Sequence, residues 1–202
     1  SATNFNSIDI GGAFEIELIK SNEEKVVIEA DDNIMPHIIV KVSGGELDIY
    51  TERNMSINNP NELKLTIYYK HINELDISGA AQLYSSDVLK TASLEMDFSG
   101  ASEVTLKLDV EDLDADFSGA SKVELEGQAN RSNLDISGAA YFRAYGLEIK
   151  TLDLDASGAS VVKVLVLDKI RIDASGASSV RYKGSPSIDI VDISGASSVR
   201  KG

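Results

Sequence analysis

The motif Asp-x-Ser-Gly-Ala, which places an aspartate at a fixed position, recurs through the last two thirds of the chain. Carboxylates in a regular row can bridge cations such as Ca²⁺, and two carboxylates on one face can serve as the acid and base of glycoside hydrolysis. The motif occurs seven times, and the copies begin at Asp76, Asp97, Asp116, Asp135, Asp155, Asp173 and Asp192. These seven residues form our candidate surface ladder.

The elements that position the aspartates are predicted to be short β-strands. Each aspartate stands between two apolar residues, as Asp116 does between Ala115 and Phe117. Because alternate side chains of a strand share a face, the apolar neighbours should point inward and the aspartates outward.

The alternation changes phase twice in each repeat, which predicts corners. From Phe117 the next inward residues are expected three positions later at Ala120 and three later again at Val123. The residues between them, 118–119 and 121–122, should turn the chain, with Gly119 supplying backbone angles closed to other residues.

The motif repeats every 18 to 21 residues, so one small unit is stacked on copies of itself. Two or three short strands per unit predict an all-β fold, a right-handed parallel β-helix with rungs of about 19 residues. Leucine-rich repeats, propeller blades and left-handed hexapeptide helices fit the pattern less well. We predict one domain over residues 1–202, with irregular N-terminal rungs and a cap in 1–72 and seven regular rungs in 73–202.

Composition restricts the possible partners. The formal net charge is −14, which should repel nucleic acid and anionic lipid surfaces. The chain has no cysteine, and no run reaches the roughly 20 apolar residues that span a bilayer, so we expect no membrane insertion of this segment. Any signal or anchor is expected to lie upstream of Ser1.

The aspartates of neighbouring rungs should lie about 5 Å apart, where like charges raise one another's pKa. We expect hydrogen bonds from the motif's serine hydroxyl and its glycine or alanine amide to offset this repulsion. A ladder of Ca²⁺ ions along the column is the alternative. We predict no catalytic, cofactor-binding or metal-ligating residue, and no cofactor unless that Ca²⁺ ladder exists.

A second column, eight residues after each aspartate, changes from neutral and acidic to basic along the chain. It predicts an electrostatically patterned surface, which would either keep the protein dispersed or meet a glycan or protein partner. Its members are Tyr84, Thr105, Glu124, Arg143, Lys163, Arg181 and Arg200.

Signals of catalysis are poor. His37 and His71 have no evident nucleophile partner in the sequence, and Ser-Gly-Ala lacks the first glycine of a nucleophile elbow. A carbohydrate-active β-helix using Asp114 and Asp116 remains an alternative, although an active site normally appears as a local break in the repeat.

Three stretches together resemble the head-GIN domain family of auto-transporter-like bacterial adhesins. They are residues 9–18, residues 28–33 and the Ser-Gly-Ala repeats, so the resemblance extends over essentially the whole chain. It implies a β-helical fold and a secreted or envelope-attached location, and it supplies no catalytic residues.

We therefore predict a non-enzymatic, extracytoplasmic surface protein, an adhesin or ligand-presenting β-helix. Its expected partner is a surface glycan or protein. The alternatives are a polysaccharide-binding or polysaccharide-cleaving β-helix and an envelope module that forms homo-oligomers through its C-terminal rung.

Overall fold

The computed structural model describes residues 2–52 and 63–202. Residues 53–62 of the predicted cap lie outside the described residues. A 3₁₀ turn, Met35–His37, precedes β4. The strands are β1 (Ser7–Gly12), β2 (Glu15–Lys20), β3 (Lys25–Ala30), β4 (Ile38–Ser43), β5 (Glu46–Thr51), β6 (Leu63–Tyr69), β7 (Glu74–Gly79), β8 (Gln82–Gly100), β9 (Glu103–Phe117), β10 (Lys122–Ile136), β11 (Tyr141–Ala156), β12 (Val161–Ala174), β13 (Ser179–Lys183), β14 (Ser187–Ile193) and β15 (Ser198–Lys201).

The long strands β8 to β12 pair in parallel along their lengths, each with the next along the chain. Within one long strand the buried positions step by three residues, as from Val110 to Leu113, which marks a bend of the chain around the core. The predicted β-solenoid with rungs about 19 residues apart is confirmed.

The core is a continuous apolar column inside these turns. Both apolar neighbours of each motif aspartate are buried from β7 to β12, as Ala115 and Phe117 are around Asp116. The inward and outward assignment is therefore confirmed there. In the terminal rung the same register places Val191 and Ile193 opposite Ile172 and Ala174, and they are 38% and 46% exposed because no following rung among the described residues covers them.

One detail of the predicted corner is wrong. Ala120 is exposed, and the next residue, Ser121, is the one that points inward, with 2% of its surface exposed. The reason is that residues 118–120 make a single turn around Gly119, whose φ is 89°. A Cβ added at Gly119 would lie 2.2 Å from the carbonyl oxygen of Gly100, so stacked corners leave no room for a side chain.

The N-terminal segment supplies an extra rung and covers it. Strand β1 pairs in parallel with β7 and β2 with β8, so residues 9–13, Asp-Ile-Gly-Gly-Ala, are a degenerate copy of the motif. On the other side of this rung, β5 pairs with β1 and β6 with β2. Strands β4 and β3 then add antiparallel partners to β5 and β6, so the solenoid does not continue in that direction.

The opposite end is formed by β14 and β15, which pair with β12 and β13. Ile188 is 55% exposed there. Among residues 2–52 and 63–202, no helix is long and apolar enough to cross a membrane.

Candidate functional site

The candidate ladder is a straight column on the outside of the solenoid. Strand pairing places the seven motif aspartates in direct register, each opposite the next. Two more aspartates extend the column at its N-terminal end, since Asp9 pairs with Asp76 and Asp48 pairs with Asp9. We did not foresee Asp48, because it lacks the Ser-Gly-Ala sequence. The only local signal is its pair of apolar neighbours, Leu47 and Ile49, which are both buried.

Columns on either side of the aspartates complete what we call the acidic face. Two residues after each motif aspartate the column is serine from Ser78 to Ser194. Two residues before it, the side chains are mostly acidic. This second acidic column consists of Glu74, Glu95, Asp114, Asn133, Asp153 and Arg171, in register from β7 to β12.

The expected hydrogen bonds to the aspartates are not formed. The amides of Ser118 and Ala120 donate instead to the carbonyls of Phe98 and Gly100 in the preceding rung, at 2.9 and 2.8 Å. At the later corners the corresponding serine and alanine amides also donate to carbonyls of the preceding rung. Within the described part of the chain, no hydrogen bond or ion pair joins a column aspartate to another side chain. The corner amides are used for stacking the rungs, and the carboxylates are left to solvent or to a ligand.

Charge repulsion along the column has the predicted direction. Partial burial raises the pKa of the Asp116 carboxyl, and the charges of Asp135 and Asp97 raise it further. Burial and neighbouring carboxylates likewise raise the pKa values of Asp9 and Asp76. The pKa of Asp155 is also raised, chiefly by burial, although the guanidinium of Arg171 opposes the shift.

The described residues contain no cluster of three or more histidine, cysteine, aspartate or glutamate side chains arranged to hold a metal ion. The column instead spaces single carboxylates one rung, about 4.8 Å, apart. Ca²⁺ takes six to eight oxygen ligands, so a Ca²⁺ ladder would need oxygens from two columns or from a bound partner.

The carboxylate pair Asp114 and Asp116 lies on one strand, two residues apart, with both side chains exposed. A groove of about 430 Å³ beside the pair is lined by Asp114 but not by Asp116. Asn133 donates a hydrogen bond to Asp114 at 3.1 Å. Comparable pairs recur in other rungs, including Asp153 with Asp155, so no local feature distinguishes this pair as catalytic.

The two histidines lie in the N-terminal part of the chain. His37 Nδ1 is 2.9 Å from Glu52 Oε2, and both side chains are largely exposed. His71 is exposed and lies in the link between β6 and β7. Neither histidine lies in a rung that carries the motif, and neither belongs to the acidic face.

The predicted column of changing charge is also confirmed as a column. Thr105 pairs with Glu124, Glu124 with Arg143, Arg143 with Lys163, Lys163 with Arg181, and Arg181 with Arg200. It lies across the Ser-Gly-Ala corner from the acidic face. The sequence did not indicate the tyrosines beside it: Lys163 Nζ lies 2.7 Å from Tyr141 Oη, and Lys183 Nζ lies 4.3 Å from the Tyr145 ring centroid.

Comparison with known proteins gives one family and several similar structures. The family model described as "Putative auto-transporter adhesin, head GIN domain" matches residues 4–186. A "putative adhesin" from Bacteroides fragilis has a TM-score of 0.93 with 23% identity, over 99% of this chain and 93% of that one. A "putative adhesin" from Parabacteroides distasonis has a TM-score of 0.80 with 17% identity, over 100% and 94% of the two chains.

A third structure, titled "Putative lipid binding protein" from Parabacteroides distasonis, has a TM-score of 0.73 with 18% identity, over 100% of this chain and 94% of that one. At these identities the three structures show a shared fold. No functionally curated protein matches the chain.

Proposed function

Because the chain belongs to the head GIN domain family of auto-transporter-type adhesins, we propose that it is a non-enzymatic, extracytoplasmic protein that binds a surface ligand along the outside of its solenoid. The observation that carries this proposal is the acidic face. It presents the same carboxylate and hydroxyl groups from rung to rung, and its aspartates have no hydrogen-bond or ion-pair partner among the described side chains.

The chemistry of this face supports binding more than turnover. A catalytic site concentrates distinct groups at one place, whereas here each rung repeats its neighbour. A repeated row can contact an extended ligand at many points, and each weak contact adds to the total. The family's description as adhesins is consistent with such a role.

The test is a screen of the purified chain against arrayed glycans and extracellular-matrix proteins, first with Ca²⁺ and then with a chelator. A triple substitution of Asp97, Asp116 and Asp135 by Asn removes adjacent column charges without changing side-chain size. The matched control replaces Asp109 and Asp112 by Asn and Glu103 by Gln; all three lie on β9 outside the acidic face and accept hydrogen bonds from basic side chains.

Binding that falls in the column variant but persists in the control would support the acidic face as the binding surface. Its loss with chelator would show that cations bridge the ligand to the carboxylates. An array without any reproducible binding under both conditions would contradict the proposed function. Release of reducing ends from a glycan, abolished by Asp116→Asn, would show an enzyme instead.

A second candidate, assembly through the C-terminal rung, is favoured by the exposed apolar side chains there. Ile188 and Ile193 are 55% and 46% exposed, and β14 has a ladder partner on one side only among the described strands. A second copy could extend this ladder. Sedimentation velocity over a wide concentration range, repeated with Ile188→Lys and Ile193→Lys, tests it, and a monomer throughout would exclude it.

A further inference from the structure

The charge of the chain is divided unequally along the solenoid. Residues 141–202 carry nine basic and seven acidic side chains, a net charge of +2. Since the whole chain has a net charge of −14, residues 1–140 carry a net charge of −16. The C-terminal rungs are therefore the one long part of this acidic chain that can attract an anion.

The seven acidic side chains of these rungs lie elsewhere, and one surface is left entirely basic. We define the basic face as residues 141–145, 161–165, 179–183 and 198–201, which pair in parallel in that order. Every charged residue in these four segments is basic. They are Arg143, Lys163, Arg181, Lys183, Arg200 and Lys201.

Four of these residues form a straight row, which we call the basic ladder: Arg143, Lys163, Arg181 and Arg200. The strand neighbours of Arg143 and Lys163 are buried, as Val162 and Val164 are around Lys163, and Arg181 and Arg200 continue the row in register, so the ladder side chains point to solvent. Three steps of one rung each give the ladder a length of about 14 Å. The columns beside it contain no acidic residue.

Most of the ladder's charge is not neutralised by the protein. Arg143 has a carboxylate partner, Glu124, with Nε and Oε1 3.6 Å apart. Lys163 donates to the Tyr141 hydroxyl, whose pKa it lowers. Neither Arg181 nor Arg200 has an ion pair with any side chain in the described ranges.

In earlier rungs, basic side chains form ion pairs with carboxylates. Lys90 pairs with Asp109 at 2.5 Å, and Arg131 makes a two-pronged contact with Asp112. The same fold therefore provides carboxylate partners elsewhere, whereas on the basic face Arg143 alone has one among the described residues. A guanidinium without a partner is ready to bind a carboxylate or sulfate through two parallel hydrogen bonds.

Tyrosine rings lie beside these cations. Lys163 Nζ lies 5.0 Å from the centroid of the Tyr141 ring, and Tyr141 is 38% exposed. Lys183 Nζ lies over Tyr145 in the same way. An exposed tyrosine combines an apolar ring face with a polar hydroxyl, which suits the apolar face and hydroxyl edge of a sugar ring.

We propose that the basic face binds a linear anionic polysaccharide, bearing carboxylates or sulfates, that lies along the solenoid axis over the basic ladder. The row is one side chain wide and is flanked by Val161, Ser179 and Ser198. A single extended chain fits this shape, whereas a nucleic-acid duplex or a membrane surface needs a broad basic area. The inference rests on the proposed ligand-binding function, and it adds to the acidic face a second binding surface with its own ligand class.

The test measures binding of the full chain to polygalacturonate and to dextran sulfate, with uncharged dextran as the reference. Replacing Lys163, Arg181 and Arg200 by Gln should weaken binding to the anionic polymers by about tenfold. The matched control replaces Lys90, Arg131 and Lys169 by Gln, which removes the same charge from ion pairs outside the basic face. The control should bind within about twofold of the unsubstituted chain, because exposed ion pairs contribute little to the fold.

Raising the ionic strength from about 0.05 M to about 0.5 M should weaken binding of the unsubstituted chain and have less effect on the Gln variant. Equal urea midpoints for the two variants and the parent would show that all three are folded. No binding of either anionic polymer, or an equal loss in the ladder and control variants, would overturn the assignment. Binding only to anionic lipid vesicles, or self-association that the ladder variant abolishes, would also overturn it.

These outcomes separate the two proposals. Array binding to neutral glycans or matrix proteins, without binding to the anionic polymers, would refute the ligand class and leave the proposed function standing. Absence of binding in both experiments would refute both proposals.

Discussion

Phe117→Ala tests the inward column at the centre of its aromatic stack. The Phe117 ring is fully buried and stacks on Phe98, with ring centroids 5.2 Å apart and planes 21° apart. On its other side it meets Phe142 at 5.5 Å and 57°. Truncating a buried phenylalanine costs about 3 to 5 kcal/mol of unfolding free energy through lost burial and the cavity that remains.

The ring contacts make the expected loss specific to this position. Each aromatic pair contributes about 0.5 to 1.5 kcal/mol beyond its buried area, and Phe117 belongs to both pairs. Phe98 and Phe142 each belong to one. Phe117→Ala should therefore lose about 4 to 5 kcal/mol, and Phe98→Ala or Phe142→Ala about 1 kcal/mol less.

Urea unfolding followed by far-UV circular dichroism is the appropriate assay, because the chain contains no tryptophan. The comparison requires a single transition with an unchanged slope against urea, since repeat arrays can lose cooperativity. A loss below about 2 kcal/mol for Phe117→Ala would refute the burial of the ring. Equal losses at the three positions would refute the stacking contribution.

Three further substitutions test the corner, the acidic face and the interior. Gly119→Ala should destabilise the fold by more than about 2 kcal/mol in urea unfolding, because it combines a positive φ with a clash against the neighbouring carbonyl. Asp116→Asn should raise the urea midpoint at pH 7. Its carboxyl has a raised pKa in the fold, so the charged form destabilises the folded state, and the gain should vanish as the pH falls toward 3.8. Ser121→Ala should stabilise by about 1 kcal/mol, because its buried hydroxyl has no hydrogen-bond partner among the described residues.

Each of these has a matched control. Gly44→Ala meets a positive φ of 63° without any atom within 4 Å, so it should cost less than Gly119→Ala. Asp112→Asn removes a carboxylate whose pKa is lowered by its hydrogen bond with Arg131, so it should not stabilise. Ser178→Ala removes a hydroxyl that donates to the Ala156 carbonyl, so it should lose stability. A control that behaves like its partner variant would contradict the stated cause.

The repeat predicted the regular rungs because each outward aspartate has two inward apolar neighbours, and this relation is local. The corner was harder to predict. The alternation predicts a turn at Ser121 because it makes Ala120 and Val123 successive inward residues, yet the corresponding positions are small in every copy: Ala81, Ser102, Ser121, Ala140, Ser160, Ser178 and Ser197. A tight inward position requires a small side chain, and a small polar residue such as serine is also common at exposed positions. The sequence of one chain does not distinguish these two reasons for a serine.

Long-range pairing accounts for the rest of what the sequence left open. Nothing local indicates that β5 and β6 lie on the far side of the β1 and β2 rung, since strand partners are chosen by the whole fold. Asp48 lies in the acidic column because β5 pairs with β1. The basic column was visible in the sequence, but its missing carboxylate partners and its tyrosines depend on which strands are neighbours.

The Ser-Gly-Ala corner sets the position of the acidic face relative to the basic face. In the C-terminal rungs it separates Asp155 and Asp173 on the acidic face from Lys163 and Arg181 on the basic face, across one turn of the chain. An anionic polymer is attracted to one of these surfaces and repelled by the other, so the corner would confine it to a single row. Because the corner glycines admit no side chain, substitutions in the outward columns can change the ligand without changing the alignment of the two faces.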